Sequence, residues 1–112
     1  MANYIQQVKD ALSEFHPNLA PELLEMYALL VLVLGEDVTL KDVHDAWSVW
    51  KNQHRADHRS LVPFEQLSPE VQAMDEKYAK SIRIVAHIRR IVEETRAWPE
   101  GLDRVDSDRY HS

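Results

Sequence analysis

Residues 21–35 read PELLEMYALLVLVLG, and the fold class turns on whether this stretch is a helix or a buried strand. Val31 and Val33 would suit a strand, and the apolar run Met26 to Leu34 carries no polar residue to set a period. The ends decide it. Pro21 stands at a favoured first helical position, and Gly35 follows as a helix-stopping glycine. The span between them is also too long for an ordinary strand. The reading is a helix over Pro21 to Leu34, apolar on all sides in its second half and therefore buried on most of them.

Outward from that helix the remaining pattern is also helical. Tyr4, Ile5, Val8, Ala11, Leu12 and Phe15 fall on one face of a helix over Asn3 to Phe15, which His16-Pro17-Asn18 breaks. Thr39 with Asp42 three residues on resembles a capping box. It opens a third helix, whose stripe is Leu40, Val43, Trp47 and Trp50 and which fades near His54. Residues 55–67, RADHRSLVPFEQL, look irregular, yet Leu61, Val62, Phe64 and Leu67 are too apolar for a free linker. Pro63 fixes its own φ and biases Val62 toward extended geometry, so this segment is expected to lie across the tryptophan face of the third helix. Ser68-Pro69-Glu70 starts a short helical piece over 69–74. Asp75 is placed to cap a last helix over 76–97, with Tyr78, Ile82, Val85, Ile88 and Val92 as its buried stripe, widened by Ile84 and Ile91. Trp98-Pro99-Glu100-Gly101 ends it. The expected fold is all-α, a compact bundle of about four helices with an ordered irregular connection packed on the core. Residues 1–99 are expected to form the single helical domain and 100–112 a flexible polar C-terminal tail.

Composition narrows the function classes. There is no cysteine among the 112 residues, so disulfides, thiolate metal sites and cysteine nucleophiles are excluded. MANYIQQVKD has no signal-peptide h-region, and the nine-residue apolar run falls short of the about 20 residues a membrane helix needs. A cytoplasmic protein without membrane contact is expected. Net charge is −6. Residues 1–50 carry eight acids against Lys9 and Lys41, whereas acids and bases balance in 51–112. An acidic chain disfavours nucleic acid, whose phosphates call for a local excess of lysine and arginine.

Three places invite a functional reading. In VHDAWSVWKNQH, residues 43–54, His44 flanks the stripe that holds Trp47 and Trp50. It could stand beside an aromatic wall for a ligand. The plainer reading is a half-buried imidazole bonded to a backbone carbonyl or a carboxylate, with the tryptophans as core anchors. His54 and His58 have the i, i+4 spacing of zinc sites, but the helix is ending there and Lys51, Arg55 and Arg59 oppose a cation. No metal is expected. On the last helix Lys77, Lys80, Arg83, His87 and Arg90 advance by three or four residues, with no acid from Lys77 to Val92. They form either a docking stripe for an acidic partner or a solvated face that offsets the acidic first half. Two glycines cannot build a phosphate loop, and the carboxylates sit where helix starts explain them. Neither catalytic residues nor a cofactor are expected.

VHDAWSVWK and HRSLVPFEQLSPEVQAMDEKYAKSIRIV together resemble the repeat domain of ryanodine receptors that is also found in bacterial and phage proteins. His44 and Trp47 match its H-x-x-W; Leu61, Val62, Pro63, Phe64 and Leu67 match its LVPF-type segment; Asp75 matches the aspartate before its acidic-start helix. The stretch Asn52 to Ser60 lacks that family's glycine-containing turn. The chain is also similar to small proteins of actinobacteria and their phages. The resemblance implies a helical interaction protein and transfers no catalytic residue.

The expected function is therefore a non-enzymatic protein-interaction module, a phage or bacterial cytoplasmic protein binding a host or cellular partner through Lys77, Lys80, Arg83, His87 and Arg90. The alternative is a small-ligand or nucleotide-binding domain with a pocket beside the His44/Trp47 helix, lined by His44, Trp47, Trp50, His58, Pro63 and Phe64. A homodimer through the apolar second helix is the remaining expectation.

Overall fold

The computed structural model describes residues 3–97. Five α-helices follow in order: α1, Tyr4–Phe15; α2, Pro21–Val33; α3, Leu40–His54; α4, Pro69–Ala73; and α5, Glu76–Ala97. Single 3₁₀ turns lie at Gly35–Asp37 and Phe64–Gln66. Among the described residues there is no strand, so the protein is an all-α bundle. No helix among them is long and apolar enough to cross a membrane. The expected stop at 98–101 and the tail at 100–112 lie outside the described residues.

The helix starts are set by local chemistry. Asn3 accepts the Gln6 backbone N–H at 2.9 Å, and Ser68 accepts that of Val71 at 3.3 Å. Thr39 and Asp42 form the full reciprocal box: Asp42 N–H donates to Thr39 Oγ1 at 3.2 Å, and Thr39 N–H donates to Asp42 Oδ2 at 2.9 Å. Aspartate thus serves where glutamate is commoner. After α2 the chain turns through Gly35 at φ 60°, a left-handed conformation that side chains with a Cβ resist.

The once ambiguous α2 is the central helix, packed against α1, α3 and α5. Leu23, Tyr27, Ala28 and Val31 face the core with Val8 and Leu12 of α1, Val38, Val43 and Ala46, and Ala79, Ile82, Val85 and Ala86 of α5. Burial of α2 is not complete: Leu29 and Val33 remain exposed. α1 runs antiparallel to α5. His16 Nε2 reaches Ser81 Oγ at 2.7 Å at one end, and the Arg89 guanidinium lies 5.5 Å from the Tyr4 ring at the other. Ser81 donates its own hydroxyl to the Tyr78 carbonyl, so His16 is the donor in that pair.

Two expectations need correction. The buried stripe of α5 ends early, because Ile88, Ile91 and Val92 are exposed. α1 begins at Tyr4, and α5 beyond Arg89 runs past the helix that would cover it. Trp47 and Trp50 are half-buried against the core rather than enclosed by it.

Candidate functional site

The connection after α3 is held as structure. His44, 3% exposed on α3, donates from Nε2 to the Val62 carbonyl at 2.7 Å, with Ser48 Oγ 3.3 Å from the same nitrogen. Gln72 of α4 donates its amide to the carbonyls of Phe64 and Leu67 at 3.0 and 3.1 Å. Leu67 is buried, while Leu61, Val62 and Phe64 are half-buried. An irregular segment needs such side-chain partners because its backbone polar groups have no ladder.

Pinned in this way, the connection stands off the bundle and leaves a cleft of about 1060 Å³. Its sides are Leu23 and Tyr27 of α2, His44 and Trp47 of α3, His58 to Ser60, Val62 and Gln66 to Ser68 of the connection, α4, and the first turns of α5. Tyr27 lies at its bottom with its ring 5.4 Å from that of Tyr78. Trp47 stacks on His44 at 5.7 Å and meets His58 edge-on at 5.3 Å. Burial, with the charges of Asp75 and Tyr78 added, pushes the Tyr27 phenol far above the usual tyrosine range. Desolvation and the cations Lys51, Arg55 and Arg59 hold His58 below the usual histidine value, with Asp57 opposing them. The Nδ1 of His58 accepts the Ser60 N–H at 3.0 Å, which needs the neutral ring.

Of the expected pocket residues, His44, Trp47 and His58 come together here, and Trp50, Pro63 and Phe64 do not line the cleft. Trp50 lies one turn further along α3, 4.9 Å from the His54 ring and beneath Lys51. Phe64 packs against His44 at 6.1 Å without reaching the cleft, and Pro63 is exposed. His54 and His58 share no helical face, since α3 ends at His54 and the two rings meet different tryptophans.

The basic stripe divides. Arg83 donates Nε to the Val38 carbonyl at 3.0 Å and approaches Glu76 at 3.8 Å. Glu36, on the turn after α2, takes Arg90 at 2.7 Å and His87 at 2.8 Å, and Arg90 also reaches Glu94 at 3.3 Å. Hydrogen bonds from Arg90 and then His87 hold the Glu36 carboxyl below its ordinary value. Three of the five stripe residues thus serve the fold. Lys77 and Lys80 are exposed, carry no ion pair among the described residues and line the cleft.

Residues that looked like core or cap complete the site: Tyr27, Tyr78 and Asp75. Among the described residues no hydrogen bond reaches the Asp75 carboxyl, so its expected capping role is not filled; its backbone carbonyl starts α5 by accepting Ala79 N–H at 3.0 Å. Desolvation raises the Asp75 pKa, and the His44 charge opposes this. A raised carboxyl contributes stability below its unfolded value, and that contribution is lost as pH rises through the folded one. Asp75→Asn should therefore lose ground to the parent protein as pH falls from neutral toward about 4. His16, lowered by burial and Lys77, weakens the fold as pH falls through the histidine range, but equally in both proteins. Melting temperatures of the pair across this range provide the check; a constant gap would show that Asp75 titrates as if unfolded.

Residues 3–87 match a family described as a domain of unknown function, DUF7701, and the chain belongs to that family. The match contains every cleft residue and ends just before the exposed Ile88. No curated protein and no solved structure matches the chain.

Proposed function

We propose that this member of the DUF7701 family is a non-enzymatic binding module whose recognition site is the cleft between α2, α3, the 55–68 connection and the start of α5. One observation carries the reading: His44, Trp47 and His58, from one side, converge with Tyr27, Tyr78 and Asp75, from the other, on a single concave space. Its volume of about 1060 Å³ lies just above the range of small-ligand sites, about 300–1,000 Å³, and a mainly apolar wall with a few convergent polar groups is their usual character. The histidines are already spent on structure. His44 is committed to Val62, and one nitrogen of His58 to Ser60. That supports binding over proton transfer. The segments on which the ryanodine-receptor-type resemblance rests supply His44, Trp47, Val62, Leu67 and Asp75 to the lining of this cleft.

Amide chemical-shift mapping with a fragment library tests the proposal. Shifts should cluster on residues 44–47, 58–68 and 71–80. Fragments that leave this cluster unmoved at millimolar concentration would remove the reading. A partner protein of a bacterial or phage adaptor is the second reading. Only Lys77 and Lys80 favour it, since Arg83, His87 and Arg90 are engaged within the chain.

A further inference from the structure

We propose that the cleft selects amphipathic anions, small molecules with an apolar body and a single carboxylate or phosphate. This rests on the cleft being the recognition site. Its walls offer Leu23, Trp47, Leu67, Val71 and Met74, and Met74 is 66% exposed on the lip, apolar surface that an apolar body would cover. Arg59, Lys77 and Lys80 stand at the mouth, all exposed. Two carboxylates, Asp75 and Glu76, also border the space, which leaves the charged lining with one positive charge in excess. Glu76 faces Arg83, which lies outside the cleft lining. Asp75 is half-buried, and its desolvation disfavours the ionised form. Lys77 Nζ sits 5.0 Å from the Tyr78 ring, at the junction of aromatic wall and mouth, where the head of a seated anion would meet it. Exposed cations thus border a lining whose buried members are Leu23, Tyr27, His44 and Leu67, an arrangement that complements a charged head and an apolar tail.

Octanoate, octan-1-ol and octylammonium share one tail and differ in the charge of the head. Titrated into the whole chain and followed by the Trp47 indole resonance, they should bind in that order, octanoate tightest. The double substitution Lys77→Ala/Lys80→Ala should weaken octanoate about three- to tenfold at low salt and leave octanol unchanged. Both lysines are exposed, so the variant should fold as the parent does. Octylammonium binding as well as octanoate, or a double variant that keeps full octanoate affinity, would overturn the charge selection while leaving the cleft as a binding site. No response to any of the three at millimolar concentration would overturn the binding site itself, and this inference with it.

Discussion

Ile82→Ala should cost about 3–4 kcal/mol of folding free energy, while Ile88→Ala, the same change six residues along the same helix, should cost less than about 0.5 kcal/mol. Ile82 is fully buried and Ile88 is 54% exposed. Removing the Ile82 side chain takes away its transfer free energy and leaves a hole between α5 and the other helices, which close-packed neighbours fill only in part. Alanine's better helix propensity returns only a few tenths of a kcal/mol, and it does so equally at both sites. A domain of this size is stable by about 5–15 kcal/mol, so the first change removes a large share. Equilibrium urea unfolding of both variants makes the comparison. Equal losses would mean that α5 is covered along its whole length, contrary to the packing described.

That contrast also shows where sequence reading stops. Periodicity placed Ile82, Val85, Ile88 and Val92 on one stripe, and a stripe says which way a helix faces. It does not say where the neighbouring helices end. The limit comes from α1, which starts at Tyr4 opposite Arg89, a relation between residues 85 positions apart in the chain. The helix starts were legible because caps are local: Thr39 with Asp42, and Ser68 ahead of Pro69, act within three residues. The α2 stretch was legible by its terminal signals despite its valines. The basic stripe had the opposite character. Its spacing was plain, but Glu36, which takes Arg90 and His87, lies more than fifty residues upstream, so the division into engaged and free residues could not be foreseen. Half of the cleft was readable, since His44, Trp47 and His58 are unusual residues closely spaced. Tyr27, Tyr78 and Asp75 sit at positions that core packing and capping would explain equally well. Only the tertiary arrangement turns them toward a shared space.

His44→Ala should lower stability by about 2–4 kcal/mol, the sum of a lost buried hydrogen bond and a partly unfilled cavity. The bond to Val62 is the described tie between the His44 side chain and the connection, and at 2.7 Å it is short. Without it the Val62 carbonyl loses its donor, and Trp47 and Phe64 lose the ring they both pack against. The damage should therefore be local first. Amide hydrogen exchange should speed up at Leu61, Gln66 and Leu67, whose N–H groups are bonded inside the connection, before it does at Ile82 in α5. His44→Gln separates the bond from the ring, because its side-chain amide can still donate at about the reach of Nε2. It should recover part of the stability and most of the protection in the connection, without restoring the stacking on Trp47. Ligand binding should follow protection rather than stability, since the connection forms one wall of the cleft. If the glutamine and alanine variants behave alike, ring packing and not the Val62 bond holds the connection in place. If neither variant changes exchange in residues 61–67, His44 does not anchor that segment.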